Sequence, residues 1–234
     1  MYSTESLENN VYEISKIKTS IYYSQSSFGG SQTWAKSRTL QKYGCGVVAG
    51  TDFLLYIGLH KKYPVGTEFS RDKHLQGKLS RTVYLELLDK MRKHYFPVIP
   101  GLGMPWWVLA GGLNVYFLKN RIPLKASFGV RRRNRDNRIR AMLVHDLPVI
   151  LAVGPNFPIP WKRHKLAFYQ KIGQEYIEAC RTAAHFVVIT GMYGQWLEIS
   201  SWGNKYYVNM KEYEEYVAHY SCPLVSNIIY IKKQ

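Results

Sequence analysis

Cys45 stands between two glycines in KYGCGVVAG, and its setting makes it a candidate nucleophile. A thiol attacks well only as thiolate, and a helix N-terminus favours that form because unpaired backbone N–H groups and the helix dipole stabilise negative charge there. The small residues that follow, then Phe53, Leu54, Leu55 and Ile57, predict a tightly packed helix opening at or just after Cys45. Gly44 and Gly46 leave the sulfur without neighbouring Cβ atoms, so a substrate carbonyl could approach and local N–H groups could form an oxyanion hole. Such a nucleophile needs a base. His185 heads HFVVITG, a run of strand residues, and a sheet would hold its imidazole rigidly toward the helix start. Each residue alone also has a plain structural reading, a small buried thiol and a satisfied histidine.

The elements that must position these two residues follow from periodicity. Apolar residues at Val83, Leu85, Leu87, Leu88 and Met91 predict a second helix over residues 81 to 94, and a third is expected over 107 to 119. Residues 101 to 118 hold Asn114 as the only strongly polar side chain; with Pro105 near the start and three internal glycines they predict a buried helix after a loop, not a membrane span. RDNRIRAMLVH predicts a short helix leading into the buried strand VILAVG. Residues 165 to 181 read as partly helical, and HFVVITGM, QWLEIS and NKYYVNM read as three strands separated by Tyr-Gly and Trp-Gly turns. A helix over 210 to 217 and a strand over 226 to 232 close the chain. Helices thus gather in the first half and an antiparallel sheet in the second, an α+β order.

The 234 residues, 46% apolar and 15% aromatic, suffice for one well-buried domain. Residues 1 to 40, rich in Ser, Gln and Gly, read as a loose lead-in segment with one strand at most, and 41 to 234 as the domain proper. Three widely spaced cysteines, Cys45, Cys180 and Cys222, give neither a disulfide framework nor metal-ligand spacing; the last two read as packing residues, and no metal or cofactor is expected. Acids near the N-terminus and no continuous apolar core there argue against a secretory signal, so a cytoplasmic protein is expected. The formal charge of +16 favours an anionic partner. Its densest run is RRRNRDNRIR, residues 131 to 140; a single run without a recognisable nucleic-acid module makes nucleic acid a poor candidate, and an acidic peptide a better one.

A cysteine at a helix start, a histidine opening a strand, and a Trp-Gly turn after the next strand occur here in the order that resembles papain-like cysteine peptidases. QWLEISSWG, residues 195 to 203, is similar to the YWIIKNSWG stretch such enzymes carry, with Trp196, Trp202 and Gly203 at matching places. RAMLVHDLPVILAVG followed by HFVVITGM looks like the bacterial branch related to bacteriocin-leader-processing, double-glycine peptidases. The resemblance runs from Cys45 to the C-terminus. It implies a helical N-terminal half packed on an antiparallel sheet, and peptide-bond cleavage through a thiolate–imidazolium pair of Cys45 and His185.

By the same resemblance, Ser200 falls where an Asn or Asp would orient the histidine, and Glu198, two residues earlier on the same strand face, is a conceivable substitute. Trp202 is expected to pack over that orienting residue and, with Gly44 and Gly46, to border the substrate. The glutamine of the oxyanion hole is expected six residues before the cysteine, where Thr39 stands; Gln41, four before it, is the candidate. The missing Asn and displaced Gln leave two other readings open: a papain-like binding module without catalysis, and an anionic-partner binder acting through residues 131 to 140.

Overall fold

The computed structural model describes residues 12–13, 27–61, 63, 81–101, 103–159 and 162–233. Among these residues the fold is α+β, six α-helices with one antiparallel sheet of nine strands. In chain order these are β1 (Tyr12–Glu13), α1 (Arg38–Tyr43), α2 (Cys45–His60), α3 (Arg81–His94), α4 (Trp106–Lys119), β2 (Leu124–Phe128), α5 (Arg135–Val144), β3 (Val149–Val153), β4 (Leu166–Ile172), β5 (Glu175–Thr182), β6 (His185–Tyr193), β7 (Trp196–Ser201), β8 (Asn204–Asn209), α6 (Met210–His219) and β9 (Ile228–Lys233). The sheet runs β2-β9-β3-β6-β7-β8-β4-β5, with β1 pairing the far end of β6.

Helix α2 is apolar around its circumference, and a helix of that kind must be buried on all sides. Val47, Leu54 and Ile57 have no exposed surface, and α2 packs between β6 and β3 on one side and α3 and α4 on the other. Helix α4 is the apolar segment around Asn114. It spans 14 residues and buries Leu109, Leu113, Tyr116 and Phe117. Asn114 answers its own polarity by donating to the Ala126 carbonyl at 3.0 Å and accepting from the Ala126 N–H at 2.7 Å, which ties α4 to β2. Among the described residues no helix is long and apolar enough to cross a membrane.

The partly helical expectation for residues 165 to 181 is corrected: they form the hairpin β4–β5, with Ile172 opposite Glu175. Gly173, at φ 63°, makes the two-residue turn. Strand β5 is the sheet edge and almost wholly exposed, so no burial pattern imposed the two-residue alternation that would have revealed it. Most of the lead-in segment lies outside the described residues, but its last part joins the domain. The Phe28 N–H donates to the Gly203 carbonyl and the Gly203 N–H to the Gly30 carbonyl, both at 2.9 Å, strapping residues 28 to 30 across the start of β8.

Candidate active site

Helices α1 and α2 are almost continuous, broken at Gly44 (φ −87°, ψ 4°), which caps the first and opens the second. A Cβ on Gly44 would lie 2.4 Å from the Leu40 carbonyl oxygen, and one on Gly46 would lie 3.0 Å from Met104 Sδ and 3.4 Å from the Phe186 ring. Both glycines are therefore needed for close packing.

Cys45 is the first residue of α2 and half-buried. Its sulfur faces the backbone N–H groups of Phe186, Gly46 and Cys45 itself, which favour thiolate, yet burial outweighs them and holds the thiol above its ordinary range. His185 opens β6 opposite Val153 and is 7% exposed. Burial pushes its imidazole down to about 3. At neutral pH both groups are consequently uncharged in the resting protein, and no hydrogen bond joins them. They border one small cavity of about 10 Å³, the space of a single water, together with Gln32, Asp52 and Ser200.

The imidazole is fixed by two neighbours. Trp202 stacks on it with ring centroids 4.4 Å apart and planes 17° from parallel. Nε2 shares a hydrogen bond of 2.8 Å with Ser201 Oγ, so Nδ1 is the ring nitrogen not engaged by that bond. The indole comes back over the histidine because Trp202 and Gly203 form the two-residue turn between β7 and β8 with φ of 49° and 76°. Ala184, just before His185, is also left-handed at φ 53°. Two of the four non-glycine residues with positive φ among the described residues thus flank the histidine. Backbone strain of about 1–3 kcal/mol per residue gathers characteristically where a side chain must be aimed.

Ser200 does not orient the histidine. It lies opposite Val188 on β6, whereas the face shared by His185 and Val187 belongs to the next residue, Ser201, because successive strand residues point to opposite sides. The Ser200 hydroxyl instead donates to the Phe28 carbonyl at 2.9 Å. Glu198 is buried elsewhere, paired with Lys205 at 2.9 Å and accepting from Thr190 Oγ1 at 2.8 Å. Gln41 is exposed, and its amide donates outward to the Ala35 carbonyl at 2.7 Å. The glutamine in the cavity is Gln32, whose Nε2 donates one hydrogen to the Gln41 carbonyl at 2.8 Å and keeps a second.

Asp52 is the other residue that sequence reasoning missed. It sits seven positions after Cys45, two helical turns along the same face, and was legible as the one carboxylate in CGVVAGTDFLLYIGLH. Its oxygens accept from the Gly30 N–H at 2.8 Å and the Tyr84 hydroxyl at 2.9 Å, so it anchors the strap that leads to Gln32. Burial raises its carboxyl to about 6, against those two hydrogen bonds. Between its ordinary 3.8 and 6 the folded chain keeps a proton the unfolded chain has lost, so this group's contribution to stability falls as pH rises. His185 acts in the opposite sense. Between about 3 and 6.5 the unfolded chain binds a proton that the buried imidazole refuses, so stability falls as pH drops. The opposed slopes, each at most about 1.4 kcal/mol per pH unit, offset one another between pH 4 and 6. Asp52→Asn preserves both contacts if the Tyr84 hydroxyl turns to accept. Urea titrations of this variant should then show stability rising more steeply with pH across that window than in the wild type.

Among the described residues no group of three or more His, Cys, Asp or Glu side chains could hold a metal ion. No protein-family model matches the chain, and no curated protein aligns with it significantly.

Proposed function

We propose that this protein is a papain-like thiol hydrolase that cleaves peptide bonds through Cys45 and His185. The observation that carries the reading is that the first residue of α2 and the first residue of β6 border one cavity, with the histidine clamped between Trp202 and Ser201. The buried, neutral pair favours proton transfer during attack over a standing thiolate–imidazolium pair. As Sγ bonds to the substrate carbonyl carbon, the thiol proton passes to His185 Nδ1, and Nε2–H donates to Ser201 Oγ. The oxyanion accepts from the Cys45 N–H and the second Gln32 Nε2–H. His185 returns the proton to the leaving amine, and a water activated by the same imidazole then hydrolyses the thioester. Trp202 keeps bulk water from the Ser201 bond, which strengthens it.

Mass-spectrometric profiling of a diverse peptide pool tests this. Cleavage should vanish in Cys45→Ala, fall by about 10²–10³ in Gln32→Ala, as for other oxyanion-hole donors, and stay near the wild-type level in Gln41→Ala. A second reading, a binding module that retains the fold without catalysis, is favoured by the neutral pair and the small cavity. It takes over if the folded wild type cleaves nothing in the pool.

A further inference from the structure

A basic cavity lies apart from Cys45. It lies at the other end of α2, whose 16 residues span about 24 Å. Its volume is about 540 Å³, within the range of small-molecule pockets. The floor is apolar, with Leu124, Met142 and Ile231 buried, while the rim carries Lys61, Arg138, His145, Lys232 and Lys233. Among the described residues no Asp or Glu lines it.

The rim charges are poorly compensated. Lys61 has a carboxylate partner, Asp146 at 2.7 Å, whereas Arg138, Lys232 and Lys233 have none among the described residues. The Arg138 guanidinium and the Lys232 ammonium lie over the same ring, 4.8 and 5.3 Å from the Tyr230 centroid. Lys232 also stands directly opposite Lys125 in the β2–β9 pairing. Like charges at facing strand positions repel, and a bound anion would relieve that cost. A guanidinium fork beside two ammonium groups suits a doubly charged, multi-oxygen anion better than a single carboxylate. The apolar floor, and a volume larger than an inorganic ion would fill, call for an organic body attached to it.

We propose that this cavity binds an organic phosphate monoester, its phosphate on Arg138 and Lys232 and its apolar body on Met142, one helical turn along from Arg138, and Leu147. The proposal is independent of the thiol chemistry at Cys45. Titration calorimetry with geranyl phosphate, inorganic phosphate and geraniol at about 0.15 M salt, where surface charge is screened beyond about 8 Å, tests it. Geranyl phosphate should bind saturably at one site, at least about tenfold tighter than inorganic phosphate, with geraniol silent. Two variants, checked by thermal unfolding, should each weaken it by about tenfold or more. These are Arg138→Ala with Lys232→Ala, which removes the cations, and Ala141→Trp, which fills the cavity from an exposed position. Equal affinity for inorganic and geranyl phosphate, binding that survives both variants, or binding of anionic vesicles or an oligonucleotide without binding of the monomer would each overturn the assignment.

Discussion

Replacing His185 by alanine should slow acyl transfer to Cys45 by about 10²–10⁴, the usual contribution of a positioned general base. The structure adds a sharper expectation. The imidazole is held down to about 3 and the thiol above its ordinary 9.0, so the histidine does not sustain a thiolate in the resting protein. Alkylation of Cys45 by iodoacetamide, which needs only the thiolate, should climb at strongly alkaline pH in both the wild type and His185→Ala. Peptide cleavage should separate them. If iodoacetamide reacts quickly with the wild type well below pH 8.5 and slowly with the variant, a preformed ion pair exists and the neutral resting pair is wrong. If neither assay distinguishes the two proteins, His185 takes no part in the chemistry.

The largest stability effect is expected far from this site. Arg135 is 1% exposed, and its guanidinium pairs with Glu214 of α6 and lies 5.3 Å from the Tyr213 ring centroid. Arg135 Nε has no further partner. Glu214→Ala would leave a buried cation without a counterion, so urea denaturation at neutral pH should record a loss of roughly 3–5 kcal/mol. Arg132 reaches the same carboxylate at 3.2 Å but is 68% exposed, and Arg132→Ala should cost at most about 1 kcal/mol. A loss in Glu214→Ala no larger than that of Arg132→Ala would mean that water reaches Arg135. The contrast bears on residues 131 to 140, which read in one dimension as a uniform cationic run. Folded, that run turns Arg135 into the core and sets Arg138 over Tyr230, so its arginines do not all share one environment.

What the amino-acid sequence determined by itself is whatever depends on near neighbours. Helix α2 opens at Cys45 because small and apolar residues recur there, and α3 runs over Arg81–His94 because its apolar face repeats at helical spacing. The Trp202–Gly203 turn was legible for the same reason, as was the place of His185 at the head of a strand, β6. The partners of these residues were not legible. Ser201 takes the histidine in place of Ser200 because a one-residue step reverses the face of a strand, and neither neighbour records which face is which. Gln32 enters the cavity in place of Gln41 because a strap anchored by Asp52 and Tyr84 carries it there. The basic cavity joins the end of α2, one face of α5 and the last residues of β9, segments spread over more than 150 positions. Even the charge state of Cys45 and His185 is tertiary. An isolated Cys and His at these positions would titrate normally, and it is the desolvation imposed by the packed sheet and helices that holds both neutral.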